Sequence, residues 1–327
     1  MKHLIAILFW AIFATAAGPV DAHRHLQEAQ ALLDQASIHG GVKLIAQAEK
    51  AIEAAEQASS GTLHAFRLRA ELLLRQRHFT DALRFARKFN AAAPDELQGY
   101  ALVVRACLAL GCYAEAEKAA QWMLNLRPGD PESLAHGAMM REHWGDLEGA
   151  IEFFAQALQK LPPQQTSRRA ELACQIGRIA LDQQRAADAE ALADQAAAIE
   201  PLHVEVMRLR ADVAASKGEW ARSVEILLDG EQLMEPDVLM RLAEGSRKIG
   251  DAKAARAYLE QFDNLTAGHP GWAPERVLWL VDAGRHEEAL KLSQTAVEGR
   301  KDVRMLDAHA LALHANSRHE EAKQVLQ

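Results

Sequence analysis

Apolar residues recur along this chain at helical spacing, as in Leu72, Phe79, Ala82, Leu83 and Phe89, and no run alternates with the two-residue period of a half-buried strand. A longer period lies over this short one. Ala82, Ala116, Ala150, Ala189, Ser223, Ala255, Ala289 and Ala322 are separated by 34, 34, 39, 34, 32, 34 and 33 residues. A second ladder runs five residues earlier, through Arg77, Gly111, Gly145, Gln184, Gly218, Gly250, Gly284 and Ser317. Proline follows the first ladder by twelve residues at Pro94, Pro128, Pro162 and Pro201. A small residue, a turn residue and a proline held in phase predict stacked helical hairpins, the small residue letting two helix backbones approach closely. One hairpin cannot bury its own apolar face, so each must lean on its neighbours. The unbroken period predicts one elongated array over 62–327 rather than two domains. The single 39-residue step puts its extra residues at Pro162, Pro163, Gln164, Gln165, Thr166 and Ser167, which is expected to be a longer loop between hairpins.

These residues resemble the tetratricopeptide repeat (TPR), in which helix A carries W-x-x-L-G-x-x-Y, helix B carries A-x-x-x-F, and a proline closes the unit. The copy at 131–162 keeps Gly145, Leu147, Ala150, Phe154, Ala157 and Pro162; that at 97–128 keeps Tyr100, Gly111, Tyr113, Ala116 and Pro128. Copies at 63–94 and 170–201 keep Phe66, Ala70, Phe79, Ala82 and Pro94, and Ile176, Gly177, Ala189, Ala196 and Pro201. Those at 204–235, 236–269 and 270–302 keep the turn glycines but drift at the helix-A aromatic, and the copy from 303 is incomplete at 327. The resemblance implies an all-α, right-handed α-solenoid. Residues 131–327 also resemble exported, TPR-only bacterial proteins of unassigned activity, which implies an envelope setting but no reaction.

The ends of the chain differ from this pattern. Lys2 and His3 precede an uncharged run from Leu4 to Ala17, too short to span a bilayer comfortably and of the length of a signal-peptide core. Val20, Asp21 and Ala22 supply small residues for cleavage after Ala22, so 1–22 reads as a signal peptide and the product as exported, periplasmic or secreted, and soluble; Ala14 to Ala16 is the other candidate site, and an uncleaved anchor the alternative. Cleavage after Ala22 would leave His23, Arg24 and His25 at a free amino end, a nitrogen set suited to Cu(II) or Ni(II). Residues 23–61 are expected to form a degenerate hairpin capping the array. Val325, Leu326 and Gln327 fall inside a helix B, so that end is expected to self-associate or fray.

Composition adds little chemistry. The chain is 49% hydrophobic but only 6% aromatic, and its net charge of −8 argues against a nucleic-acid partner, which would need a basic face. No phosphate-cradling glycine loop, His-Glu-x-x-His or nucleophile-elbow motif occurs. Neither catalytic residues nor cofactor nor metal is expected, and His286, Glu287, Glu288 and their counterparts His319, Glu320 and Glu321 are read as helix starts with favourable acids. Cys107 and Cys112 are read as small core residues, with a bridge between them open only if the turn brings them within range. An odd count of three, with Cys174, leaves at least one thiol free.

The surface that remains is the concave groove, where the resemblance places extended or helical peptide ligands. At the fifth and ninth helix-A positions stand Arg67 and Glu71, Ala101 and Arg105, Ala135 and Met139, Cys174 and Arg178, Arg208 and Asp212, and Met240 and Glu244. Arg67, Arg105, Met139, Arg178, Arg208, Asp212 and Glu244 are the candidate partner-binding residues. Pairing across one helical turn is expected for Arg67 with Glu71 and for Arg208 with Asp212. Arg105 and Arg178 lack an acid at the fifth position of their own repeat, where Ala101 and Cys174 stand, and are the candidates to meet a partner's carboxylates. The expected role is a non-catalytic protein-interaction scaffold of the cell envelope; an accessory subunit of a cell-wall or glycan-modifying enzyme is the alternative.

Overall fold

The computed structural model describes residues 19–59, 61–230 and 235–326, and all regular structure among them is helical. The helices pair in chain order into nine hairpins among the described residues. They are α1 (Pro19–His39) with α2 (Val42–Ala58), α3 (Leu63–Arg75) with α4 (Phe79–Ala92), α5 (Leu97–Leu110) with α6 (Tyr113–Leu126), and α7 (Pro131–His143) with α8 (Leu147–Lys160). Then follow α9 (Thr166–Asp182) with α10 (Ala186–Ile199), α11 (Val204–Ser216) with α12 (Trp220–Leu228), and α13 (Pro236–Lys248) with α14 (Ala252–Thr266). A 3₁₀ turn at Pro270–Trp272 leads into α15 (Ala273–Asp282), which pairs with α16 (His286–Gly299), and α17 (Val303–Ala315) pairs with α18 (His319–Val325). Among the described residues no helix is long and apolar enough to cross a membrane. The expected signal segment lies mostly on 1–18, outside the described residues. Its last residues, 19–22, form the first turn of α1, where Ala22 is buried.

Each sequence ladder has a physical counterpart. The alanine ladder lies on the second helix of the eight hairpins from α3–α4 onward and is buried throughout, Ala82, Ala116, Ala150, Ala189 and Ala289 completely. The turn ladder closes the first helix: all eight of its residues have φ between 58 and 86°. This left-handed residue lets the next amide reach back to the last helical turn, as in His78 N to Leu73 O at 2.8 Å and Asp146 N to Arg141 O at 2.9 Å. Arg77, Gln184 and Ser317 adopt it despite their side chains. The core is a string of local clusters rather than one centre: Ala70, Leu74, Ala82 and Leu83 of one hairpin pack with Leu102, Val103 and Ala116 of the next.

Two expectations need correction. The extra residues of the 39-residue step do not form a long loop: α9 starts at Thr166 and runs 17 residues, where α3, α7 and α11 have 13. The insertion is taken up largely as an added helical turn, fastened by Arg169, whose Nη1 donates to the terminal carbonyls of α8 at Leu158 (3.0 Å) and Leu161 (3.1 Å). And Cys112 is exposed rather than part of the core, because it precedes the first residue of α6 in the turn; Cys107 is fully buried, and all three thiols are free.

The array curls until its second turn meets its first. Gly41 N donates to Glu235 Oε1 at 2.8 Å, Arg77 pairs with Glu275 at 3.0 Å, Lys301 N donates to Leu110 O at 3.0 Å and Val303 N to the Tyr113 hydroxyl at 2.9 Å. Partners lie 190–198 residues apart, so one superhelical turn takes roughly six repeats of this period. Backbone meets backbone at this seam. A Cβ on Gly111 would stand 2.5 Å from the Lys301 carbonyl, and one on Gly271 would stand 2.5 Å from Arg77 Cβ. Arg77 lies over the Trp272 ring at 3.8 Å, which accounts for an arginine held in a left-handed turn. Buried Arg300 knits the seam, pairing with Asp302, donating to Gly271 O at 3.0 Å and lying 5.1 Å over Phe79. The His78 and His269 rings stack at 4.5 Å, and His269 Nδ1 accepts from Gly271 N at 3.1 Å.

Two outcomes follow from this geometry. Gly145 has φ +79° with open space around it, so Gly145→Ala should cost about 1 kcal/mol from backbone strain alone. Gly111→Ala should cost a further ~1–3 kcal/mol from the seam clash, whereas Gln184→Gly should be neutral or stabilising by up to about 1 kcal/mol. Urea midpoints rank the three, and Gly111→Ala equal to Gly145→Ala would mean that the seam contributes nothing. The second outcome concerns acid. Burial, the facing His78 and nearby Arg77 lower the His269 pKa below its ordinary 6.5, and protonating Nδ1 would remove the acceptor for Gly271 N. The unfolded chain therefore binds the proton more readily, so this stability is complete above pH 6.5 and declines as pH falls below it. The other charges at this contact are Glu275, Arg300 and Arg304. Melting temperature should drop from about pH 7 to about pH 5, and His269→Asn, which keeps a cap acceptor, should flatten that drop; an unchanged slope removes His269 from the account.

Candidate functional site

The first helices of the hairpins, α3 through α17 in odd number, turn one face inward, and closing the seam converts their groove into a two-lobed cavity. One lobe, of about 1170 Å³, lies between the α1–α2 turn, α11, α13, α14 and α15; the other, of about 840 Å³, lies among α3, α5, α7, α9 and the start of α17. Ser37, Arg75, Arg77, Glu205 and Arg304 stand in the walls of both, so the lobes adjoin. Of the candidate residues, Arg67, Arg105, Met139 and Arg178 line the smaller lobe and Arg208 and Glu244 the larger, while Asp212 lines neither.

A ladder of ion pairs crosses from repeat to repeat along this wall. Arg168 grips Glu132 with two bonds of 2.8 and 3.0 Å and also holds Glu171 at 2.7 Å. Arg178 grips Glu142 at 2.7 Å and reaches Asp182 at 3.3 Å. Arg208 holds Glu205 at 2.6 Å, Asp237 at 3.0 Å and Glu235; Arg241 takes Asp212 at 2.8 and 3.1 Å. Burial opposes these charges, yet the pairing prevails. Desolvation works against ionised Glu171, but nearby His203 and the Arg168 guanidinium bonded to it hold its carboxyl at about 2. Arg208 is likewise desolvated, and Asp237, Glu205 and Glu235 raise its pKa above the ordinary arginine value. Glu235, flanked by other acids, is pushed upward by burial even beside Arg208.

The pairing corrects two expectations. Arg208 does not pair with Asp212, because Arg241 of the next repeat takes that carboxylate and Arg208 turns to Glu205, Glu235 and Asp237. Arg178 is not unpaired: Glu142 stands 36 residues earlier, on the neighbouring helix α7, and Asp182 one turn further along α9. Arg67 does lie 3.5 Å from Glu71, and also bonds Gln30. Arg105 stands apart. Its side chain is exposed toward the cavity and makes no hydrogen bond or ion pair among the described residues. Glu244 is exposed and forms no ion pair among the described residues. The cavity residues overlooked in the sequence are Arg75, Arg168, Arg300 and His136; the search for acids within one repeat passes over pairs offset by a repeat length. Cys107 and Cys174 lie buried in the hairpins, with thiols pushed up to about 12 by desolvation. Among the described residues no group of three His, Cys, Asp or Glu side chains is placed to hold a metal ion.

No protein-family model matches the sequence. No curated protein matches it either. Solved structures do match in shape. The human IFIT1 dimer with PPP-AAAA aligns over 93% of this chain and 71% of its own, at 13% identity and a TM-score of 0.59. The APC/C hetero-tetramer Cut9–Hcn1 aligns over 82% of this chain at 12% identity and a TM-score of 0.52, and this chain spans 52% of that one. TTC0263, a thermophilic TPR protein of Thermus thermophilus, aligns over 60% of this chain and 98% of its own at 17% identity and a TM-score of 0.49. With its hairpin ladder, left-handed turns and inward-facing first helices, the chain has the fold of a tetratricopeptide-repeat protein, a right-handed α-solenoid.

Proposed function

We propose that this protein is a non-catalytic scaffold of the bacterial cell envelope, holding an extended segment of a partner protein on its concave face. The observation that carries this reading is the pair of adjoining cavities of about 1170 and 840 Å³, lined largely by first-helix side chains and walled by both apolar and charged groups. Its charged side chains are engaged in structural pairs, as with Arg168, Arg178 and Arg208, and not in a nucleophile–base arrangement. The envelope setting rests on the apolar run from Leu4 to Ala17 and on the small residues at 20–22.

A photo-crosslinking residue at Met139, in the cavity wall, should trap a partner polypeptide in intact cells, whereas one at Trp122, half exposed on α6, should not. Trapping from Trp122 alone would move the working surface to the outer helices. The intact mass of protein recovered from producing cells checks export. Loss of 1–22 is expected, and a membrane-bound species retaining them would defeat the soluble, exported assignment.

A further inference from the structure

At each turn of the ladder, the residue after the left-handed one donates its amide to the carbonyl five positions back, as Cys112 N does to Cys107 O at 2.9 Å. This geometry brings the two side chains together as well. The next repeat shows it, because the equivalent residues there, Arg141 and Asp146, form an ion pair. At the turn between α5 and α6 alone, both positions are cysteine. Cys112 is exposed and Cys107 is buried behind it. Arg87 of α4 stands near both thiols, with its guanidinium Nε held 2.9 Å from Glu115. The third cysteine, Cys174, lies two hairpins further along on α9. The turn framed by the pair is also part of the seam. Leu110 O accepts from Lys301 N at 3.0 Å, Gly111 has no room for a Cβ against the Lys301 carbonyl, and the Tyr113 hydroxyl accepts from Val303 N at 2.9 Å.

We propose that Cys107 and Cys112 are a reversible disulfide site that fastens the turn between α5 and α6 and, through it, the seam. The oxidant is a small organic disulfide such as oxidised glutathione. Cys112, the exposed member, releases its proton to water, and its thiolate attacks one sulfur of that disulfide. The other sulfur leaves as a thiolate, and a mixed disulfide remains on Cys112. Cys107 then releases its proton to water, attacks the Cys112 sulfur and expels the second glutathione thiolate. The two cysteines have lost two electrons and two protons, and the glutathione disulfide has become two thiols. Burial pushes the Cys107 thiol up to about 12, so at about pH 8 roughly one part in 10⁴ is thiolate. Holding both sulfurs in one turn offsets that scarcity, since well-oriented intramolecular reactions reach effective concentrations of about 10⁵ M or more. The closed loop is short, so the loss of unfolded-chain entropy is modest. What the bridge adds is local: it holds Gly111 at φ +83°, the conformation in which its backbone meets Lys301.

The full-length protein is equilibrated with oxidised and reduced glutathione at set ratios and quenched with acid. Its remaining thiols are then alkylated after unfolding and located by peptide mass spectrometry. Cys107 and Cys112 both lie between Arg105 and Lys118, so one tryptic peptide carries them. Oxidation should remove two hydrogens from that peptide and protect both cysteines together, while Cys174 stays open to alkylation; dithiothreitol should restore both thiols. Cys107→Ala should stop at a glutathione adduct on Cys112. Cys112→Ser, at an exposed position that leaves the core intact, should form no bridge. Amide hydrogen exchange reads the seam. Lys301 and Val303 should exchange about tenfold more slowly in the oxidised protein than in the reduced one, and at one rate in Cys112→Ser under both conditions. A lasting glutathione adduct on Cys112 with Cys107 still open to alkylation, or a Cys112 bridge between two chains, overturns the disulfide site. A bridge that leaves exchange at Lys301 and Val303 unchanged overturns the fastening of the seam.

Discussion

The close approach of two backbones at Gly111 and Gly271 is the constraint on which the rest of the architecture depends. A helical-hairpin array is ordinarily an open spiral whose repeats touch only their neighbours. Here the turn after α5 lies against the Lys301 main chain, and the turn after α3 lies against Gly271, at separations that leave no room for a side chain. Around these contacts Arg77, Trp272, Arg300 and Asp302 form a compact set of cation–π and ionic contacts. The result is an inner space ringed by protein, where an open spiral would present a groove.

Enclosure changes what charge does there. An arginine–glutamate pair on an open surface adds little, because water screens it. Where the wall is most buried, at Arg208 with Glu235, the same kind of pair is more strongly coupled, and removing one partner strands the other. The repeat-to-repeat ladder of Arg168, Arg178, Arg208 and Arg241 therefore helps to set how each first helix sits against the next.

The fold is legible because it is written in short-range rules. A buried alanine, a left-handed turn and a closing proline each act within a few residues, so their period survives where the rest of the sequence drifts. Even Arg77, Gln184 and Ser317, which do not look like turn residues, are picked out by phase and do adopt positive φ. What is not legible depends on distance in space. Arg178 looks free when only the fifth position of its repeat is compared: Asp182 stands one turn on, and its closer partner, Glu142, sits one repeat away, an offset that follows only from how α7 and α9 are stacked. The 39-residue step looks like a loop because two prolines open it, yet the residues after them have enough helical tendency, and enough capping help from Arg169, to extend α9. Nothing in the period itself announces that Gly41 will meet Glu235.

The seam also acts as a vernier on the whole array. Almost all contacts in a solenoid are local, and such chains form quickly from neighbouring pieces. The seam contacts span 190 residues and more, and they join stretches already stiffened by the repeats between them. Little chain entropy is left to lose at that final join; what must be right is the sum of the small rotations between successive hairpins. The extra turn at the start of α9 lies within that loop and contributes to the sum. A substitution that alters one inter-hairpin angle by a few degrees, harmless in an open spiral, would be read out as a misfit at Gly111 and Gly271, far from where it was made.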